Sequence, residues 1–309
     1  MQRFKNILLV FDQNKETLRR AAVLAKHNRA RLTVVGVIGE LPRDRRMLIA
    51  VIPSQELERI VVEEQQEQLN KFIAPLRKQR MRVSTDVLIG RPFREIIRQV
   101  VRKKLDLVIM TAEGKVGLKE RLFGSTSMHL MRKCPCPVWV MKPTRRKRYA
   151  RIVVAVDPES SNQESNLLNV KIMELATSLA QRERSELHIV HAWKLYGEQA
   201  LSVTGRVHPT DLRKWLREEE KAHRKRLDLL LQKFQLDDLK HRVHLVKGDA
   251  AAVIAKLVSE QRADLLVMGT ISRTGTAGFF IGNTAEKVLL QVDCSVLTVK
   301  PDSFVTPVK

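Results

Sequence analysis

The sequence has few cysteines, no long apolar run and no extended apolar segment in its first residues. Three cysteines among 309 residues are too few for the disulfide framework of a secreted protein, which favours a reducing compartment. Apolar runs such as residues 7–11 and 265–268 are far shorter than the roughly 18 residues of a membrane span. Residues 1–6 carry no extended apolar segment of the kind that signal peptides need. These absences predict a cytoplasmic protein without a transmembrane segment.

The composition predicts a globular chain of two domains, with its charge concentrated in the first half. Apolar residues make up 44% and charged residues 29%, which is typical of a folded chain. The formal charge is +22, of which residues 1–150 carry +19 and residues 151–309 carry +3. The basic clusters of the first half could attract nucleic acid, acidic lipid head groups or phosphorylated ligands. They have no interleaved aromatic residues, so a solvated basic face is the alternative interpretation. These clusters are residues 43–46, 77–80, 102–104 and 145–148.

The chain contains an internal repeat. Residues 4–12 align with 149–157, each an apolar run that ends in an aspartate, at an offset of 145. Residues 136–143 align with 294–301 at an offset of 158, which places the extra residues early in the second copy, around residues 158–164. Self-similarity at this scale indicates two copies of one domain. We therefore expect a first domain at residues 1–143, a basic linker at 144–149 and a second domain at 150–309.

Each copy has the pattern of a parallel sheet covered by helices. Short apolar runs alternate with stretches of helical period, such as residues 17–26, 55–80 and 92–103. The predicted fold class is α/β, with two tandem doubly wound domains of five parallel strands each. Ligands of such sheets bind beyond the carboxyl ends of the strands, where Asp12 and Asp157 follow the first strands. The predicted strands are residues 5–11, 32–38, 83–88, 105–110 and 137–142, then 151–156, 187–192, 242–247, 263–268 and 295–300.

Glycines and hydroxyl residues after the fourth strand of each copy are candidates for phosphate binding. Glycine lets the backbone approach a phosphate, and a helix N-terminus offers free N–H groups. Turns after strands need glycine in any case, so a structural role is the alternative. The candidates are Gly114, Gly124 and Ser125 in the first copy, and Gly269, Ser272, Gly282, Asn283 and Thr284 in the second.

These features resemble those of the universal stress protein family in its tandem form. The resemblance rests on the paired strand-plus-aspartate openings, the glycine spacing after the fourth strands, and residues 129–135, 269–275 and 282–286. It implies five-stranded domains of the adenine nucleotide alpha hydrolase-like type, with the last strands pairing across a pseudo-twofold axis. It also implies a stress response in the cytoplasm, an unknown protein partner and, in many members, bound ATP. One chain with two domains would then correspond to a dimer of single-domain family members, and it would act as a monomer or form a further dimer.

The resemblance also implies roles for individual residues. Asp12 or Asp157 would hold the ribose or a Mg²⁺ ion, and Val37 would lie beside the adenine. The glycines and hydroxyls given above would contact the phosphates. Thr111 replaces the first glycine of the first copy, whereas Gly269 keeps it in the second copy. The resemblance therefore favours the second copy as the site for ATP or another adenine nucleotide, with or without Mg²⁺.

The residue pattern predicts binding rather than catalysis. The sequence contains no Walker P-loop and no recognisable arrangement of nucleophile and base. We expect at most slow ATP hydrolysis and no catalytic residues. The alternative is a ligand-free scaffold or basic adaptor that binds nucleic acid or anionic surfaces through its first half.

Three other features have both a functional and a structural interpretation. Histidines at 188, 191, 241 and 244 would suit zinc, but residues three apart on a strand face opposite sides, so we expect no metal site. Cys134-Pro135-Cys136 is not a C-x-x-C redox motif. The apolar segment 47–53 could cover a ligand cleft, or it could pack on its own domain.

Overall fold

Apolar strands form the centre of each half of the chain. The computed structural model describes residues 4–39, 54–112, 123–144, 148–158, 163–203, 207–270 and 282–309. Residues 1–145 and 304–309 form one compact unit, and residues 146–303 form another. We call them unit one and unit two.

Unit one has five described strands in a parallel sheet. The order is β3-β2-β1-β4-β5, so β1 and β4 are neighbours although two strands separate them in the chain. The residues of β4 are all buried, as expected of a strand covered on both faces. The strands are β1 (Asn6–Val10), β2 (Arg31–Ile38), β3 (Val83–Ile89), β4 (Leu107–Thr111) and β5 (Val138–Met141).

Unit two repeats this topology. Its order is β8-β7-β6-β9-β10, again fully parallel, with β6 beside β9. The chain therefore reverses its direction of winding between β6 and β9, which is the switch point of a doubly wound sheet. The strands are β6 (Arg151–Ala155), β7 (Glu186–Trp193), β8 (His241–Lys247), β9 (Leu265–Gly269) and β10 (Ser295–Val299). The α/β class and the tandem arrangement are confirmed.

Helices connect the strands in both units. Among the described helices, none is long and apolar enough to cross a membrane. Those of unit one are α1 (Lys15–Asn28), α2 (Ser54–Lys78), α3 (Pro92–Lys103) and α4 (Ser125–Lys133). Those of unit two are α5 (Gln163–Glu183), α6 (Glu198–Val203), α7 (Pro209–Leu231), α8 (Ala250–Glu260) and α9 (Asn283–Gln291).

The ends of the predicted strands and helices all lie within two residues of those in the structure. Strands β4 and β9 both begin two residues later than expected. The reason is the same in each unit: the N–H of Leu105 donates to Val100 O at 3.0 Å and that of Ala263 to Val258 O at 2.9 Å. These two residues therefore complete the end of the preceding helix before the strand starts.

Candidate functional site

The switch point of unit two brings three of the predicted residues to one edge of the sheet. Asp157 lies two residues after β6, and Gly269 is the last residue of the neighbouring β9. Gly282 precedes α9, and its N–H donates to the carbonyl of Thr270 at 2.9 Å. This hydrogen bond holds the N-terminus of α9 against the end of β9.

Helix α9 begins without a side-chain cap. Gly282 is the N-cap residue and makes no capping hydrogen bond through a side chain, and the two following residues, Asn283 and Thr284, are exposed. Within the part of the chain that the structure describes, no side chain caps the first N–H groups of α9, and a helix start carries a partial positive charge. It can therefore bind an anion such as a phosphate.

The main chain of Asp157 is fixed by a buried asparagine of α5. Its N–H donates to Asn169 Oδ1, and its carbonyl accepts from Asn169 Nδ2, both at 2.8 Å. Asn169 is buried, so the pair of bonds sets the direction in which the chain leaves β6. Asp157 is half-buried, and the distance from its Oδ1 to Nδ1 of His191 is 3.8 Å.

Gly269 has a packing role that the sequence interpretation did not include. A Cβ atom at this position would lie 3.1 Å from Leu168 Cδ2 and 3.3 Å from Ile172 Cδ1, both on α5. The glycine therefore lets α5 pack closely on the end of β9. The corresponding residue of unit one is Thr111, whose buried hydroxyl forms a 2.8 Å hydrogen bond with that of Thr17 on α1.

The predicted residues of unit one occupy similar places with other contacts. Asp12 is exposed, and its Oδ1 accepts from the N–H of Asn14 at 3.0 Å, which forms a tight turn before α1. Gly124 is the N-cap of α4 without a side-chain cap, and Ser125 is exposed after it. Val37 is half-buried on β2 and pairs in register with Leu88. Gly114, Ser272 and the apolar segment 47–53 lie outside the described residues.

Two histidines in contact, His191 of β7 and His223 of α7, connect the switch point to α7. His191 Nδ1 lies 3.2 Å from the carbonyl of Val156, and its Nε2 lies 2.8 Å from Nδ1 of His223. His223 Nε2 lies 3.1 Å from Glu219 Oε1. A carbonyl and a carboxylate only accept, so three hydrogens are needed to satisfy all three contacts, one more than two neutral imidazoles carry. Burial, the largest effect, lowers the pKa of His223, whereas Glu219 acts to raise it.

The other histidine pair lies on the opposite face of β7. His188 Nδ1 and His244 Nε2 are 3.1 Å apart, and burial is the main cause that lowers the pKa of each. The expectation that residues 188 and 191 face opposite sides is therefore confirmed. Among the described residues, no group of three or more His, Cys, Asp or Glu side chains is arranged to hold a metal ion. Cys134 and Cys136 are buried and form no disulfide, and their sulfurs lie 3.6 Å apart.

A groove lies elsewhere in unit two, away from these residues. It has a volume of about 690 Å³ and runs along α7. The charged residues that line it include Arg217, Lys221 and Arg224. The described switch-point residues do not line this groove, so we base the functional site on the strand ends and the helix start.

The chain is similar to known proteins over its whole length. The model of the Universal stress protein family matches residues 3–142 and again residues 148–300. Universal stress protein E of Salmonella typhi is 29% identical over 318 residues, covering 100% of this chain and 98% of that relative. Universal stress protein E of Escherichia coli K12 is 28% identical with the same coverage.

Solved structures show the same fold. A protein of unknown function from Pseudomonas aeruginosa PAO1 superposes with a TM-score of 0.67 at 24% identity, covering 97% of this chain and 94% of that one. A universal stress protein from Archaeoglobus fulgidus gives a TM-score of 0.59 at 19% identity, covering 96% and 98%. With a family match in each half, the chain belongs to the universal stress protein family as a tandem member.

Proposed function

We propose that this protein binds an adenine nucleotide at the switch point of unit two and acts in the cytoplasmic stress response through a protein partner. The observation that carries the proposal is the 2.9 Å hydrogen bond from Gly282 N–H to Thr270 O. It places an uncapped helix start at the end of β9, one strand from Asp157. Anion-binding N–H groups and a carboxylate at a switch point are the two groups that a nucleotide's phosphates and ribose require.

Different residues at the switch point bind different parts of the nucleotide in this proposal. The first N–H groups of α9, with the amide of Asn283 and the hydroxyl of Thr284, supply donors for the phosphates. The carboxylate of Asp157 accepts from the ribose hydroxyls, or holds a Mg²⁺ ion, which prefers oxygen ligands. The bonds from Asn169 keep Asp157 in one position, so little conformational entropy is lost when the nucleotide binds.

Unit one is the second candidate for the same ligand. Gly124 and Ser125 offer an uncapped helix start there, and Asp12 and Val37 occupy the equivalent strand ends. One observation favours unit two: Thr111 carries a side chain where unit two has Gly269.

We infer binding with at most slow ATP hydrolysis. Phosphoryl transfer needs positive groups that stabilise the charge of the transition state. Asp157, Asn283 and Thr284, the described side chains that the proposal assigns to the nucleotide, offer carboxylate, amide and hydroxyl groups and no positive charge, and the sequence has no Walker P-loop.

The test is isothermal titration with ATP, with and without Mg²⁺, on the full chain and two matched variants. Asp157→Ala is expected to weaken binding by about tenfold or more, the value of one hydrogen bond to a charged group. Asp12→Ala, the same change at the equivalent position of unit one, should leave the affinity within about twofold, since it touches no bound group.

Other outcomes would assign the function differently. An effect of Asp12→Ala alone would move the site to unit one. Absence of any ATP binding by the unaltered protein would contradict the proposal and favour a ligand-free scaffold or basic adaptor.

A further inference from the structure

The amino-terminal edge of the sheet of unit one carries a row of basic side chains. In a parallel sheet all strands start at the same edge, which is opposite the switch point. Backbone hydrogen bonds fix the order of the row: Arg31 N–H donates to Lys5 O at 2.8 Å, and Leu32 N–H donates to Arg82 O at 3.1 Å. Asn6 Nδ2 donates to Lys104 O at 3.4 Å. We call the four side chains at these strand starts the amino-edge row: Arg82, Arg31, Lys5 and Lys104.

The amino-edge row is exposed and little neutralised. All four side chains are exposed, and none forms a salt bridge within the part of the chain that the structure describes. The carboxylate at this edge is that of Asp106, which is half-buried and accepts from the backbone N–H groups of Lys5 and Asn6 at 2.6 and 3.1 Å. Burial raises the pKa of Asp106, and these bonds and the Lys5 ammonium act against that shift. Among the described residues at these strand starts, the half-buried carboxylate of Asp106 thus stands beside four exposed cations.

Unit two provides an internal comparison. The same backbone bonds occur there, from Glu186 N–H to Ala150 O and from Leu187 N–H to Lys240 O. Lys104 and Arg262 both follow a helix with a left-handed backbone, at φ +48° and +46°. The row of unit two therefore reads Lys240, Glu186, Ala150 and Arg262, a charge of +1 against +4 in unit one.

The acid of unit two also neutralises its neighbours. Oxygens of Glu186 lie 3.0 Å from Lys240 Nζ and 3.0 Å from Arg242 Nε. The pKa of Glu186 is lowered, and the hydrogen bond with Lys240 is the main cause of this shift. The charge of Arg242 acts in the same direction. Basic residues near helix C-termini are favourable in any protein, because they interact with the helix dipole. The interaction with the helix dipole is available in both units. It therefore does not explain why unit one has Arg31 where unit two has Glu186.

The shape and chemistry of the row fit a linear polyanion. Neighbouring strands are about 4.8 Å apart, so four strands span about 14 Å. Duplex nucleic acid carries one negative charge per about 1.7 Å of its axis, and proteins bind it through phosphates without needing to contact bases. Single strands are bound by stacking on aromatic residues, and membranes are bound with the help of interfacial aromatics. The large hydrophobic side chains exposed on the described part of unit one are aliphatic, including Val23 and Val101.

We propose that the amino-edge row of unit one binds the phosphate backbone of duplex nucleic acid without preference for base sequence. The row belongs to unit one and the proposed nucleotide site to unit two, so the inference does not depend on the proposed function. The corresponding row of unit two keeps the scaffold but has a formal charge of only +1, and Glu186 pairs with Lys240 and Arg242 there, which predicts that it contributes little to this binding.

Fluorescence anisotropy with a labelled 24-base-pair duplex of arbitrary sequence tests the proposal, at 50 to 200 mM NaCl and without ATP. One variant of the full chain replaces the row: Lys5→Gln, Arg31→Gln, Arg82→Gln and Lys104→Gln. Its matched control removes four exposed cations at the same edge of unit two: Arg184→Gln, Lys240→Gln, Arg242→Gln and Arg262→Gln. Both variants have the same net charge, so a difference between them reports location.

The row variant is expected to lose at least about tenfold in affinity at 50 mM NaCl. Its slope of log affinity against log salt should fall by about 3 to 4, because each phosphate contact contributes about 0.9. The unit two variant should bind within about threefold of the unaltered protein. Circular dichroism on both variants checks that they fold. If the row variant does not fold, Arg31→Glu replaces it, since unit two carries glutamate at this position, and the same loss in affinity and slope is expected to a smaller degree.

Three results would overturn the proposal. The first is that both four-residue variants lose affinity equally. The second is that the unaltered protein does not bind the duplex at 50 mM NaCl. The third is tighter binding to a single strand of the same length, or binding only to phosphatidylserine vesicles.

Discussion

Residues 111 and 269 occupy the same place in the two repeats and meet different neighbours. Thr111 bonds to Thr17 through its hydroxyl, whereas Gly269 leaves room for Leu168 and Ile172. A glycine at the end of this strand is therefore explained by helix packing before any ligand is considered. A test of nucleotide binding by substitution at 269 would mix the two roles.

Gly269→Val is expected to lower the free energy of unfolding by about 1 to 3 kcal/mol, because its methyl groups would overpack the contact with α5. Urea denaturation without nucleotide measures this. Adding Leu168→Ala to the valine variant should recover part of the loss, since it removes the atom closest to the new Cβ. Unchanged stability of Gly269→Val would show that α5 does not pack as described.

The histidine pair of β7 and β8 should make stability depend on pH. The pKa values of His188 and His244 are lowered in the folded protein, mainly by burial. Below the unfolded pKa of about 6.5 the unfolded chain then binds more protons than the folded chain. Stability is therefore fully present above that pH and decreases as the pH falls from about 6.5 towards the folded pKa values.

Calorimetric midpoints at pH 7.5 and 5.5 measure this dependence. His188→Gln should reduce the difference between the two midpoints, whereas His27→Gln, which alters an exposed histidine of α1, serves as the control. An equal effect of both substitutions would contradict the assignment to the buried pair.

At the scale of elements, helix α1 shows how capping sets the boundaries. Asn14 Oδ1 accepts from the N–H groups of Glu16 and Thr17, both at 3.0 Å. The helix ends at Asn28, and the next residue, Arg29, is the C-cap with a left-handed backbone. The apolar periodicity predicts only residues 17–26, because capping residues lie outside the apolar face.

Asn14→Ala is expected to lower the free energy of unfolding by about 0.5 to 2 kcal/mol, since two N–H groups at the start of α1 would lose their acceptor. Asn14→Asp keeps an acceptor oxygen and should stay close to the unaltered protein. Urea denaturation compares the three proteins. A loss in Asn14→Asp as large as that in Asn14→Ala would point to a role other than capping.

The repeated strands and their positions along the chain could be predicted from the sequence, because buried parallel strands are continuous apolar runs. For the candidate site, the sequence predicted which residues take part but not the contacts that they make. The contact between His191 and His223 joins β7 to α7, which no periodicity reveals. The packing role of Gly269 likewise depends on where α5 lies. The contrast between Arg31 and Glu186 is visible in the sequence only once the register of both sheets aligns them.

At the scale of the whole molecule, two copies of one scaffold have diverged in what they present. The first half carries a formal charge of +19 and the second +3. We propose a nucleotide site on unit two and a nucleic-acid surface on unit one. Under these two proposals, duplication of one domain gives a chain with a different kind of ligand site on each unit.

Protein purified without added nucleotide and then denatured is expected to release at most one adenine nucleotide per chain, because Thr111 of unit one carries a side chain where unit two has Gly269. Chromatography with mass spectrometry identifies and counts the released molecule. Two equivalents per chain would contradict the difference that we assign to the two units.

The exchange of arginine for glutamate between the two amino edges has a practical consequence. A variant that carries both Arg31→Glu and Glu186→Arg has the same composition, mass and isoelectric point as the unaltered protein. A cation-exchange resin binds local clusters of positive groups, so it can separate these two compositional isomers although no measurement of bulk charge can. Retention on such a column therefore reports how the charge is arranged, and it offers a purification-scale assay of the surface before any nucleic acid is added.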